Sequence, residues 1–295
     1  MKGTLIKVKY TIKGRIPDGD TVCFRPTTEF GKKAIWPRGW RTQKSKAPAC
    51  RLQAIDTLEK NQDVDLATDA RDFLLRGIGF KSWSPNRPDE IYKKNKEAIP
   101  ENPSGYVLVV GKDTHGRYIS FVFGDLSGLR EGEYKNVPLN LVRRSVNWQL
   151  AQTGHAYPLF YEGLPQAVMS GVSGGVKKSR AKPDPLWAAD IQSPTREIVT
   201  RNDLKRRAIW PKLHRRLYEY LGKNVGLGAF LDWLKADPDK RNDQMMVIGS
   251  KKISAFDKHV IVTGNRIRLR ENPERLLVVS RAEPMKVKPS ARQGR

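Results

Sequence analysis

The chain has 295 residues, of which 38% are hydrophobic, enough for the core of one large domain or of two domains of ordinary size. Its 55 lysines and arginines against 31 aspartates and glutamates give a formal net charge of +24, which favours a polyanionic partner such as nucleic acid or an anionic membrane surface. The sequence has no run of about 18 apolar residues, which argues against a membrane-spanning helix. Its two cysteines are too few for a disulfide scaffold or a cysteine-based zinc site.

The N-terminal segment alternates apolar and polar residues and lacks the apolar centre of a signal peptide, so we expect a cytoplasmic protein. The alternation predicts strands over 5–13 and 21–25, joined by a turn that contains Asp18-Gly19-Asp20. Residues 26–50 have no hydrophobic period, and we expect an irregular excursion there before a third strand over 50–52.

The segment RLQAIDTLE, residues 51–59, sets one cation and two carboxylates around apolar positions. A buried carboxylate without compensation is strongly unfavourable, so a group such as Arg51, Asp56 and Glu59 usually marks a metal site, an ion pair or a reaction centre. A fully extended chain would separate Arg51 and Asp56 by about 16 Å. We therefore predict a bend between Gln53 and Asp56 that brings Glu59 back toward Arg51.

The remaining predicted elements follow in chain order. They are a helix over 65–76, an irregular segment over 82–105, a hairpin of strands 106–110 and 118–123 with Arg117 where the turn enters its second strand, helices over 139–153 and 163–178, and a linker over 179–197.

The C-terminal segment from residue 191 holds 24 lysines and arginines against 11 acidic residues. It starts with a basic amphipathic stretch over 200–221, and a β-rich part follows, with a hairpin turn at Gly264-Asn265. The cations of the basic stretch could follow a phosphate backbone, and a solvated helix face is the alternative interpretation. They are Lys205, Arg206, Arg207, Lys212, Arg215 and Arg216.

Three polar motifs follow one another along the chain. They are Asp18-Gly19-Asp20-Thr21, then Arg51-Leu52 with Asp56-Thr57-Leu58-Glu59, and then Asp113-Thr114-His115-Gly116-Arg117. In this order they resemble the staphylococcal nuclease (thermonuclease) family. Further matches are Val146-Asn147, Leu150, Gly154, Ala156 and Leu186-Trp187, so the resemblance covers residues 1 to about 190. Each motif alone is common in turns and ion pairs, whereas the ordered set is specific. The family commonly has proline at the position of Leu58.

The resemblance implies an α+β fold, with an OB-like five-stranded barrel and packed helices in a catalytic domain over 1–190. From their charge and patterns we expect residues 191–295 to form a smaller basic α+β domain that binds nucleic acid as an accessory module. The implied activity is calcium-dependent hydrolysis of DNA or RNA phosphodiesters that leaves 3′-phosphates, with other divalent ions possible and no small-molecule cofactor or membrane partner.

The implied roles of the residues are as follows. Asp20 and Asp56 would be carboxylate ligands of calcium, the main-chain carbonyl of Thr57 would complete the protein's share, and Asp18 would lie at or just outside that shell. Arg51 and Arg117 would hold the scissile phosphate, and Glu59 would act as general base on the attacking water. A non-catalytic nucleic-acid-binding module or a protein-binding scaffold on the same fold remains the alternative.

Overall fold

The computed structural model of the chain describes residues 1–36, 47–182, 184–190, 197–205 and 207–279. The predicted excursion over 26–50 and the predicted linker over 179–197 therefore lie partly outside the described residues, and Arg206 lies wholly outside. The strands within these ranges are β1 (Gly3–Thr11), β2 (Thr21–Pro26), β3 (Ala49–Leu52), β4 (Ile55–Asp56), β5 (Ser82–Ser84), β6 (Glu97–Ile99), β7 (Ser104–Lys112), β8 (Tyr118–Phe123), β9 (Gly132–Tyr134), β10 (Tyr157–Pro158), β11 (Phe160–Tyr161), β12 (Gln244–Val247), β13 (Ile253–Ala255), β14 (Val260–Thr263), β15 (Arg266–Leu269) and β16 (Leu276–Val278). The α-helices there are α1 (Glu29–Ile35), α2 (Val64–Gly77), α3 (Leu139–Arg143), α4 (Val146–Gln152), α5 (Gln166–Arg180), α6 (Pro185–Ala189), α7 (Pro211–Tyr220) and α8 (Phe230–Lys235).

Five strands close into a barrel. The hydrogen-bonded order is β2-β3-β8-β7-β1, and β1 also pairs with β2, while β9 extends the sheet beyond β1. The contact of β3 with β8 is parallel, and the other pairings in the ring are antiparallel. Alternation along β1 directs Val8 and Tyr10 into the core while Lys7 and Lys9 face solvent. This closed barrel fits the OB-like architecture expected from the sequence.

A single asparagine ties the end of β3 to the barrel wall and to α4. The buried Asn147 amide donates to the carbonyls of Gln53, at 3.0 Å, and Ser120, at 2.9 Å. Its side-chain oxygen accepts from the amide of Val122 at 3.0 Å. With these three bonds the side chain uses most of its hydrogen-bonding capacity to fix the chain just after β3.

The predicted helix over 139–153 is two helices, α3 and α4, rather than one. The break falls at Ser145, whose hydroxyl accepts from the amide of Trp148 at 3.2 Å and so caps α4. A serine side chain can accept a backbone hydrogen bond at a helix N-terminus and so start a new helix. The prediction of one continuous helix did not take this cap into account. The irregular excursion was also predicted without α1, and the linker without α6.

The chain after residue 197 packs against the barrel segment that carries residues 55–59. Strand β11 pairs in parallel with β16, and the Arg180 guanidinium makes two bonds to Glu274, at 2.8 and 2.9 Å. Leu58 and Tyr157 belong to the same buried cluster as the apolar faces of α7 and α8.

The predicted hairpin at Gly264-Asn265 is confirmed by β14 and β15. Among the described helices, none is long and apolar enough to cross a bilayer.

Candidate active site

The chain bends sharply after β3, as predicted. Strand β3 ends at Leu52, a turn occupies Gln53 and Ala54, and β4 begins at Ile55. Ala54 has φ +71°, a left-handed conformation that is unusual for a residue with a Cβ. The bend brings Arg51 and Asp56 together, with 3.0 Å between Arg51 Nη2 and Asp56 Oδ1.

The Asp18-Gly19-Asp20 turn delivers a second carboxylate to the same arginine. Thr21 starts β2 opposite Arg51, and the Asp20 carbonyl accepts from the amide of Leu52 at 2.8 Å. The Thr21 hydroxyl donates to Asp20 Oδ1 at 2.8 Å, and Asp20 Oδ2 lies 4.0 Å from Arg51 Nη2. Arg51 therefore bridges the two carboxylates for which the resemblance implies a metal.

Gly19 lets this turn lie directly against Thr57. A Cβ at Gly19 would stand 2.8 Å from two Thr57 side-chain atoms and 2.9 Å from Ala70 Cβ. We expect Gly19→Ala to destabilise the fold by about 1–3 kcal/mol, because the turn must move away from Thr57. Gly174→Ala, in α5 with nothing within 4 Å of the added Cβ, is the matched control and should leave stability unchanged or raised. Urea unfolding of both variants measures the difference, and equal midpoints would contradict the tight packing of the turn.

Neighbouring charges separate the pKa values of the two buried aspartates. Asp20 is 9% and Asp56 1% exposed. Burial and then the nearby Asp18 charge raise the pKa of Asp20 well above its usual value, against the opposing charge of Arg51. Burial would also raise the pKa of Asp56, but Arg215 and then Arg51 outweigh it and lower that pKa. Asp20 is thus the carboxylate whose negative charge is less well compensated.

The hairpin between β7 and β8 supplies the second predicted arginine. Asp113 Oδ1 accepts from the amides of Arg117, at 2.9 Å, and His115, at 3.0 Å. Its Oδ2 accepts from Arg117 Nε at 2.8 Å. Gly116 at φ +81° permits the tight turn between them. Asp113 therefore holds the Arg117 side chain in a fixed direction.

These separate pieces of chain meet around one cavity of about 490 Å³. Of the residues to which the resemblance assigns a role, those that line it are Asp18, Asp20, Arg51, Thr57, Glu59 and Arg117. Asp56 lies beneath them, in contact with Arg51. The cavity is also lined by residues that the sequence analysis gave no role there, namely Lys60, Asn61, Tyr92, Arg215 and Tyr218.

Arg215 of α7 inserts its guanidinium between Asp56, a predicted metal ligand, and Glu59, the predicted general base. Its Nη2 lies 2.7 Å from Asp56 Oδ2, and its Nη1 lies 2.6 Å from Glu59 Oε1 and 3.4 Å from Asp56 Oδ1. In the sequence, Arg215 belongs to the basic stretch over 200–221 that could follow a phosphate backbone, and no pattern connects it with this site. No spacing in the sequence distinguishes it from Arg216, which instead pairs with Asp243 at 3.1 Å.

The residues that would hold a calcium ion fit it in donor type. Asp20, Asp56 and the Thr57 carbonyl offer the oxygen ligands that a hard cation prefers, and the incompletely compensated charge of Asp20 favours one. Over the described ranges, no group of three or more His, Cys, Asp or Glu side chains is arranged to hold a metal ion. Because both oxygens of Asp56 already contact arginines, an ion on that carboxylate would have to share it with Arg215 or displace it.

His214, next to Arg215, gives the fold an acid sensitivity. It is 1% exposed, and neither ring nitrogen has a hydrogen-bond partner among the described residues. Burial and then the Arg215 charge lower its pKa to about 3. Unfolded histidine has a pKa of about 6.5, so the unfolded chain binds more protons between these values, and stability falls as pH drops through that window.

We expect His214→Phe to remove this part of the acid sensitivity. Inside this pH window the wild type should lose up to about 1.4 kcal/mol of unfolding free energy per pH unit that the variant retains. Urea unfolding at about pH 8 and about pH 4.5 measures it, since the wild type should lose more stability between the two conditions than the variant. An equal loss in both proteins would contradict a buried neutral histidine.

Compared with models of known protein families, the chain matches none, and no curated protein matches its sequence.

Proposed function

We propose that this protein is a divalent-metal-dependent nuclease that hydrolyses phosphodiester bonds of DNA or RNA, with calcium as the ion and 3′-phosphates as products. One observation carries the proposal. The carboxylates of the Asp18-Gly19-Asp20 turn, Glu59 after the bend, Arg51 of β3 and Arg117 of the β7–β8 hairpin line one cavity beside a closed five-stranded barrel. Buried Asp56 contacts Arg51 at 3.0 Å. Phosphodiester hydrolysis depends mostly on positioning and charge, and these groups supply both.

The arginines would bind the scissile phosphate. A guanidinium is permanently charged and offers a fixed fork of donors to phosphate oxygens. Asp56 holds Arg51 at 3.0 Å, and Asp113 holds Arg117 at 2.8 Å, so neither side chain has to be ordered when substrate binds. Lysine would provide the charge but not the fork.

Glu59 would take the proton of the attacking water. Its side chain lines the cavity and is 38% exposed, and its backbone amide is fixed by Gln62 Oε1 at 2.7 Å. A carboxylate within reach of the bound phosphate can orient a water molecule and accept its proton. Calcium, held by Asp20, Asp56 and the Thr57 carbonyl, would supply charge neutralisation at the phosphate and a lowered pKa of bound water.

A second candidate function is a nucleic-acid-binding module without catalysis. It is favoured by the contacts of Arg215, because a guanidinium on both Asp56 and Glu59 is also the arrangement of a structural ion-pair network. The net charge of +24 suits either function.

Digestion of labelled single- and double-stranded DNA and RNA by the full chain separates the two candidates. We expect shortened products with calcium, none with chelator, and 3′ ends that become extendable only after phosphatase treatment. Binding without cleavage in calcium, magnesium or manganese would favour the module. Absence of both binding and cleavage would overturn both candidates.

A further inference from the structure

The cleft continues beyond the carboxylates and arginines. A second cavity of about 270 Å³ adjoins the first along α7. Both cavities are lined by Glu59, Asn61, Arg215 and Tyr218, so Tyr218 and its neighbours lie where the two spaces meet. A ligand bound by the arginines would therefore extend naturally past Glu59 toward α7.

Two tyrosines border this continuation. Tyr92 lines the first cavity together with Tyr218 and is 56% exposed. Tyr218 is half-buried and fixed by Arg201, whose guanidinium carbon lies 4.2 Å from the ring centre and whose Nε donates to the Tyr218 carbonyl at 2.6 Å. A ring held in this way loses little freedom on binding a flat partner.

Polar groups accompany the rings. Asn61 lines both cavities and can donate and accept hydrogen bonds. His214 lines the second cavity, and its ring centre lies 5.8 Å from that of Tyr218. Its buried ring nitrogens lack partners among the described residues, and buried polar atoms are nearly always bonded in native proteins. A ligand in the second cavity that carries hydrogen-bonding edges is a source of such a partner.

A phosphate-binding cluster beside aromatic rings and amide-type groups matches the chemistry of a nucleotide. We infer that Tyr92 and Tyr218, together with Asn61 and His214, form a nucleoside subsite, and that the substrate strand is unpaired where it occupies the cleft. This inference rests on the proposed function and specifies its substrate. In a duplex the base faces are covered by neighbouring bases, whereas a single strand leaves them open to stacking on aromatic side chains.

Binding in chelator tests the subsite without any cleavage. The probes are a fluorescein-labelled single-stranded DNA oligonucleotide and the duplex of the same sequence, followed by anisotropy. We expect Tyr218→Leu and Tyr92→Leu each to weaken single-strand binding about tenfold, and Tyr218→Phe and Tyr92→Phe to retain most of it, because phenylalanine can still stack. Duplex affinity should not change. The slope of log Kd against log salt should also be unchanged, since no phosphate contact is removed.

An abasic oligonucleotide sharpens the test. If the ring stacks on a base, one abasic position within the bound register should weaken wild-type binding about tenfold but have little further effect on Tyr218→Leu. Equal losses in the two proteins, or leucine variants that bind the single strand as the wild type does, would overturn the subsite. Tyr92→Leu keeps the test informative if Tyr218→Leu fails to fold, since Tyr92 is the more exposed ring. Normal cleavage without any tyrosine effect would reject this inference alone, and a tyrosine effect without cleavage would reject the nuclease alone.

Discussion

Glu59→Gln should slow phosphodiester cleavage by about 10²- to 10⁴-fold while leaving nucleic-acid affinity within a few-fold of the wild type. The substitution removes the proton acceptor but keeps the size of the side chain, and an amide oxygen can still accept from Arg215, which lies 2.6 Å from the carboxylate. A loss confined to turnover would mark an interaction made in the transition state rather than in substrate binding.

Single-turnover cleavage of a labelled oligonucleotide, with binding measured separately in chelator, gives the two quantities. Glu162→Gln is the matched control, because Glu162 is exposed and does not line the cavity. It should cleave at the wild-type rate. Unchanged turnover in Glu59→Gln would remove the role of general base, and a parallel loss of affinity would point instead to a structural role of the pair with Arg215.

The first strands and their turn could be predicted from local patterns, whereas the closed barrel was implied only by the family resemblance. The alternation of apolar and polar residues over 5–13 and 21–25 specifies which face of each strand is buried, and an Asp-Gly-Asp turn joins the two strands. The bend after Gln53 followed from distance once Arg51 and Asp56 were taken to act at one site, since an extended chain cannot bring them together. The observed distance of 3.0 Å between Arg51 Nη2 and Asp56 Oδ1 agrees with the predicted bend. The Asn147 amide donates to the Gln53 carbonyl at the bend, and this contact depends on side-chain placement that no local pattern specifies.

The role of α7 could not be predicted, since its cations are equivalent in the sequence. Lys212 and Arg216 both form ion pairs with Asp243, at 2.9 and 3.1 Å. Arg215 instead pairs with Asp56 and Glu59. Burial would raise the pKa of Asp243, but the charges and hydrogen bonds of Lys212 and then Arg216 outweigh it and lower that pKa. The orientation of α7 against the barrel determines which of its cations pairs with which carboxylate, and the sequence does not specify that orientation. Binding of nucleic acid by the C-terminal segment stays a prediction, and it would have to use other cations than these.

Arg215→Ala should strengthen divalent-ion binding by about 10- to 100-fold. The guanidinium lies 2.7 Å from Asp56 Oδ2, so an ion on that carboxylate meets a like charge within a few ångströms. At the dielectric typical of a partly exposed site, such repulsion is worth a few kcal/mol before solvent screening. The Arg215 side chain is 35% exposed, which reduces the effect but does not abolish it.

The same substitution should destabilise the protein when no ion is bound. Asp56 is 1% exposed, and loss of one cationic partner leaves its charge less compensated, which for a buried pair costs about 3–5 kcal/mol when nothing replaces the partner. Arg51 remains at 3.0 Å, so the lower end of that range is expected. Calcium should restore most of the lost stability in the variant, because the ion compensates the same carboxylate.

Calorimetric titration with calcium and thermal unfolding in chelator or calcium measure both effects without reference to activity. Arg216→Ala is the matched control, because it removes an adjacent cation whose partner, Asp243, keeps Lys212 at 2.9 Å. Its calcium affinity should equal that of the wild type. If Arg215→Ala and Arg216→Ala bind calcium equally, the ion does not compete with Arg215 for Asp56. If Arg215→Ala also unfolds at the wild-type temperature in chelator, the contacts of Arg215 contribute little to the fold, and Asp56 is compensated by Arg51 alone.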